Sequence, residues 1–161
     1  MNKKIFAAIG LSVSLFTFAC GDGGNQSSSE SAGEQPKSMV EDPNTYDPKR
    51  GEGKFDETNV HVEGLDAAMA DRGKAIAETK CFSCHKTTDE KLVGPGWHGV
   101  TERRTPYWIM NFITNPDPMI DKDPEVQAQL ELCLVRMPNQ NLAENEAREI
   151  LEFMRSNDGV K

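Results

Sequence analysis

Apolar residues are spread unevenly along this chain. After Lys3 and Lys4, residues Ile5 to Phe18 form an apolar run broken only by glycine and a few hydroxyls. The run is too short to span a bilayer as a helix and has the layout of a secretory signal. Residues 20–64 then turn polar, rich in Gly, Ser, Asp, Glu, Pro and Asn. Such a stretch buries too little surface to offset chain entropy, so Cys20–Lys37 reads as a flexible tether. Residues 38–64 carry Met39, Val40, Tyr46, Phe55 and Val60, which leaves two readings open: plain linker, or an extended strap on the domain that follows. The expected organisation is a signal over 1–19, a tether or strap over 20–64 and one folded domain over 65–161.

Within that domain the apolar spacing is helical, and no stretch reads as a strand. A first helix is expected over about 66–79, with Asp66 as N-cap and Met69, Gly73, Ile76 and Ala77 on one face. Leu92-Val93-Gly94-Pro95-Gly96 reads as a loop. Thr105-Pro106 starts a second helix, with Trp108, Ile109, Phe112 and Ile113, that stops before Asn115-Pro116. Asp123-Pro124 repeats the start signal, with Val126, Leu130, Cys133 and Leu134 on an inward stripe. The last helix places Ala147, Ile150, Leu151 and Met154 at i, i+3, i+4 and i+7, and Asn157-Asp158-Gly159 ends it. A domain this small has a marginal apolar core of its own.

The chemistry is concentrated in Cys81-Phe82-Ser83-Cys84-His85, a C-x-x-C-H motif. Two thiols at this spacing can add across the two vinyl groups of one haem, and the histidine after the second thiol then sits under the iron. The motif therefore predicts one covalent haem c on Cys81 and Cys84, with His85 as an axial ligand. A thioredoxin-like pair would need a βαβ context, and a zinc site would need a second ligand pair. The remaining cysteines, Cys20 and Cys133, are isolated, as are His61 and His98. A Cys81–Cys84 disulfide would close a tiny loop and add little. His98 reads as a residue that structures its loop. Cys133 reads as a small buried apolar residue, with a redox switch as the alternative.

Ala19-Cys20-Gly21 after the apolar run resembles a bacterial lipoprotein processing site, with cleavage before Cys20 and lipid on its thiol and amine. Thr17 departs from the leucine usual at that position. The alternative is an ordinary signal and a soluble periplasmic protein. The formal net charge of −8 gives a nucleic-acid role no support. It implies a partner with a basic docking patch, or docking through apolar contact at a haem edge.

Gly73 on the helix leading into the motif, Gly94-Pro95 followed by His98-Gly99, and Met137-Pro138 with Leu142 before a terminal amphipathic helix are separate points of one pattern. Together they make the chain resemble a class I c-type cytochrome over roughly residues 65–158. The resemblance implies an all-α small cytochrome c fold, about four helices wrapped around one covalent haem. It also implies that the Pro95 carbonyl accepts the second N–H of His85 and that Met137 is the sixth ligand. Met119, in a proline-rich stretch expected to be a loop from Asn115, is the rival; Met69 and Met154 read as core, and Met110 lies within a helix. Arg104 and Trp108 are candidate donors to the haem propionates, against the plain reading of a solvated arginine and a core tryptophan. Two departures stand out. Ala77 takes the place of a large aromatic, leaving Phe153 or Met154 to fill the space. Ala143 takes the place of a Ser or Thr cap, leaving Asn141 as an alternative cap.

With both axial sites held by protein, the expected function is electron transfer and not catalysis. The chain is expected to be a monomeric, membrane-tethered carrier on the periplasmic side of a bacterial membrane. It would take single electrons from a quinol-oxidising complex or another cytochrome and pass them to a terminal reductase or oxidase. Leu92-Val93-Gly94-Pro95, Tyr107-Trp108 and the stretch from Arg136 to Leu142 are similar to lipoprotein cytochromes that accompany nitrous oxide reductase in Bacteroidota-type bacteria. The alternatives are a haem-based sensor or peroxidase-like enzyme with a labile distal ligand, and a fixed subunit of a respiratory complex.

Overall fold

The computed structural model describes residues 46–161; Cys20, the signal-like run and the tether lie outside the described residues. Among the described residues there are helices and turns but no β-strand. Helix α1 (Ala67–Lys80) starts where Asp66 accepts a hydrogen bond from the Met69 amide, and α6 (Glu144–Asn157) closes the chain. The two cross at Gly73, where an added Cβ would lie 1.9 Å from the Glu149 carbonyl oxygen. Only a residue without a side chain lets the backbones meet there. Ala70, Gly73 and Ala77 form the buried row of α1, while Ala147, Ile150, Leu151 and Met154 form the expected buried row of α6.

A buried carboxylate reinforces that crossing. Glu152 is fully buried and accepts from the Asp66 amide (2.9 Å), from Arg155 (2.7 Å) and from Arg148. Arg155 in turn donates to the carbonyl of Glu63.

Helix α2 (Val100–Arg103) is a single turn after Gly99. Helix α3 (Pro106–Thr114) starts as expected, with the Thr105 hydroxyl accepting from the Trp108 amide at 3.2 Å. The segment expected to be a loop from Asn115 is instead helix α4 (Pro116–Lys122). Pro116 and Pro118 lie in its first turn, where a missing N–H breaks no helical bond, so they start this helix and do not interrupt one. Helix α5 (Pro124–Cys133) follows, capped by Asp123, whose Oδ1 accepts from the Glu125 and Val126 amides. Its stripe is narrower than expected. Val126 is buried, but Leu134 is a left-handed C-cap at φ 60° and 83% exposed. Asn141 does not cap α6. Ala143 does, with its amide donating to the Glu146 carboxylate at 2.9 Å.

Residues 46–64 pack on these helices as a strap. Tyr46 donates to Asp123 at 2.5 Å, and the Thr105 hydroxyl donates to the carbonyl of Lys49 at 2.5 Å. Asn111, only 1% exposed, accepts from the Phe55 amide and donates to the carbonyls of Arg50 and Phe55. Phe55 and Val60 join the apolar core. An unpaired buried amide would cost about 1–3 kcal/mol, so Asn111 ties the strap's path to α3.

Candidate functional site

The turn after α1 is tight. The amides of Cys84 and His85 both donate to the Cys81 carbonyl at 3.0 Å, which brings the two thiols and the imidazole together on one side. The next loop is laced to it: the amides of Val93 and Gly94 both donate to the Cys84 carbonyl, at 3.1 and 2.8 Å. The Pro95 carbonyl thereby reaches His85 and accepts its Nδ1–H at 2.8 Å. That bond sets the tautomer and leaves Nε2 as the lone-pair nitrogen. Gly94 is packed against the ring, since a Cβ there would lie 2.4 Å from Cε1 of His85. Burial holds the His85 imidazole below its ordinary value, against the opposing pull of the Pro95 carbonyl, so it is neutral and able to ligate near pH 7. Burial also pushes the Cys81 thiol up to about 11.

Cys81, Cys84, His85 and Met137 line one cavity of about 470 Å³, walled by Trp108 and Ile109 of α3, Ile120 of α4, Val126 and Leu130 of α5, and Ile150 and Met154 of α6. Cys81 and Cys84 are both free thiols. Met119 is not on this cavity; it is fully buried in α4 beneath Gly51 of the strap. Its place in the core removes it as rival for the distal position. Of the candidate methionines, Met137 and Met154 line the cavity, and Met154 does so from the buried face of α6.

The proposed propionate donors fare differently. Trp108 also lines the cavity, and its indole N–H is given to Asp123 Oδ2 at 3.0 Å. Arg104 stacks over the Trp108 ring at 4.2 Å and pairs with the exposed Glu125 at 2.6 Å. Arg104 also lines the cavity. Asp123 caps α5 as the sequence indicates, but it has two further roles that the sequence does not show: it bonds Trp108 and holds Tyr46 of the strap. Burial works to raise its pKa, but the bonds from Tyr46, Trp108 and two amides outweigh it and hold the carboxyl below the usual range. Trp97, only 6% exposed, stands 5.6 Å from the His85 ring and is met by Phe82 and Phe153. That cluster supplies an aromatic contact on α6, and Phe82, inside the motif itself, is part of it.

These residues fit a haem c: two free thiols for the vinyl groups, an imidazole held by Nδ1 with Nε2 left over, a thioether on the same cavity, and apolar walls for the macrocycle. The family model for cytochrome c matches residues 70–158. The chain belongs to the cytochrome c family. It is a class I monohaem c-type cytochrome, a haem electron-transfer protein that binds one covalent haem c. It is 34% identical over 65 residues to a cytochrome c-553-like protein of Synechocystis, a match that covers 38% of this chain and 62% of that relative. This cytochrome also resembles the solved cytochrome c from Rhodothermus marinus, with 34% identity, a TM-score of 0.62, and coverage of 73% of this chain and 97% of that one. An engineered form of that protein bound to a carbene intermediate is similar at 33% identity and a TM-score of 0.59, over 73% of this chain and 98% of that one.

Proposed function

We propose that this cytochrome is a tethered carrier of single electrons on the periplasmic side of a bacterial membrane, with His85 and Met137 as the two axial ligands. It runs between a quinol-oxidising complex or another cytochrome and a terminal reductase or oxidase. The observation that carries the reading is one cavity lined by both thiols, by His85 with its Nδ1–H held at 2.8 Å by Pro95, and by Met137. Haem c, when bound, supplies a one-electron iron couple. The chain's own work is to hold the imidazole neutral and oriented, to keep a thioether at hand, and to exclude water with apolar walls. A soft sulfur ligand favours the ferrous state and raises the potential. His85 and Met137 would together hold the haem iron and leave no open site for a substrate, so the protein is read as a carrier and not an enzyme.

Electrons leave through an apolar rim. Val93 and Val135 lie on the cavity and are 38% and 54% exposed; Leu92, Leu132 and Leu134 surround them at 46%, 65% and 83%. Lys91 donates to the Leu132 carbonyl at 2.8 Å, which brings the two apolar stretches side by side. An exposed group of this kind suits transient docking with a redox partner. The tether reading rests on the sequence around Cys20, and the nitrous oxide reductase partner on the resemblance of the 92–95 and 136–142 stretches. A lipid anchor would raise effective concentration near membrane partners.

Holoprotein made with a haem-attachment system is expected to titrate as one Nernstian one-electron couple and, once reduced, to be reoxidised by nitrous oxide reductase only when nitrous oxide is supplied. A failure of that oxidation removes this acceptor; a multi-electron or irreversible titration removes the carrier. A Cys20→Ala chain is expected to move from the membrane to the soluble periplasmic fraction with an unchanged spectrum. Unchanged fractionation contradicts the tether.

A further inference from the structure

Arg136 directly precedes Met137, and its guanidinium reaches across to α4. It bonds two carboxylates one helical turn apart, Asp117 through Nη2 at 3.1 Å and Asp121 through Nη1 at 3.0 Å. The segment that carries Met137 has little else to hold it. Among the described residues, no backbone group from Val135 to Leu142 takes part in a backbone–backbone hydrogen bond. The other polar bonds in the segment stay inside it: Gln140 to the Pro138 carbonyl at 3.1 Å, and the Asn141 amide to Asn139 at 2.8 Å. Met137 and Leu142, both partly buried, pack against the core and are its apolar hold. Among the described residues, Arg136 is the polar tie between this segment and another element. The element it grips is firm, because Met119 and Ile120 anchor α4 in the core at 0% and 3% exposure.

We propose that Arg136 is a positioning residue for the distal ligand, holding the Met137 segment on α4 so that the methionine-bound arrangement outweighs a released one. The inference rests on Met137 as the distal ligand. A segment without backbone bonds opens at low cost. Any contact present in only one of two arrangements shifts their balance by its own strength. Exposed ion pairs are individually weak, but one guanidinium shared by two carboxylates forms a small network. The balance it biases is local, so a modest contribution is visible where it would be lost in global stability. High salt weakens the grip by screening.

The test is imidazole binding to the ferric holoprotein, since exogenous imidazole reaches iron only when the methionine is off, and its apparent affinity scales with the released fraction. Arg136→Ala is expected to bind imidazole about three- to tenfold more tightly than wild type. It is also expected to lose the far-red ferric band of the iron–sulfur bond at lower denaturant, while the loss of helix occurs at an unchanged concentration. Asp117→Asn with Asp121→Asn, which leaves the segment itself untouched, is expected to match it. Arg136→Lys, which can grip one carboxylate at a time, is expected to fall between. Molar salt is expected to tighten imidazole binding in wild type and to leave Arg136→Ala unchanged. If the far-red band depends on Met137 but all three variants bind imidazole as wild type does, the positioning role is overturned and the ligand stands. If the band survives Met137→Ala, the ligand reading and the positioning role fall together.

Discussion

A Cys81→Ala, Cys84→Ala variant will carry no covalent haem and, once loosely held haem is stripped, will lose most of its helix. The cavity lined by these two residues is about 470 Å³ and lies between α1, α3, α4, α5 and α6. An unfilled apolar cavity costs about 24 cal/mol per Å³, which for this volume comes to about 11 kcal/mol. Water entering at the open rim reduces that figure. Even a fraction of it is a large share of the roughly 5–15 kcal/mol by which a whole domain is stable. A haem stain after a denaturing gel reads the covalent link, and far-UV circular dichroism reads the fold. A stripped variant with wild-type helicity would show that the helices do not need the haem as core.

Glu152→Gln will destabilise the holoprotein by about 3 kcal/mol or more, the usual cost of breaking a buried, hydrogen-bonded ion pair from one side. Glu152 is fully buried, and the change leaves Arg155, whose side chain is 9% exposed, without its charge partner. It also weakens the bond to the Asp66 amide at the start of α1 and, through Arg155, the hold on the carbonyl of Glu63. Burial works to raise the Glu152 pKa, but Arg148, the Asp66 amide and Arg155 outweigh it and hold the carboxyl below the usual range. Its contribution is therefore complete above the ordinary value of 4.5 and is lost as pH falls through the lower folded value. Asp123, depressed by its own bonds, adds a loss of the same sign. Denaturant titrations across the acid range should give a stability that falls steeply below about pH 4.5 in wild type and less steeply in Glu152→Gln. Equal slopes would place the acid sensitivity elsewhere.

What the sequence made legible was set by local chemistry. The starts of α1, α3 and α5 could be placed because Asp66, Thr105 and Asp123 cap within their own next turn. The haem site was legible because thiol, thiol and imidazole are bound to one short turn, and Pro95 follows within ten residues. Long-range features were harder to see. The strap has few apolar residues, and its path is held by Asn111 and Asp123, distant partners with no local signature. Helix α4 was hidden because prolines that open a helix look like prolines that break one, and with it went the burial of Met119. The partner of the Trp108 N–H was hidden for the same reason: it is Asp123, fifteen residues on.

The absorption spectrum of the holoprotein, for wild type and Met137→Ala, tests the central claim most directly. Ligation by His85 and Met137 predicts a low-spin reduced c-type spectrum and a weak far-red ferric band in wild type, with that band absent in the variant. A high-spin ferric wild type, or a far-red band that persists without Met137, would contradict a carrier closed by these two ligands.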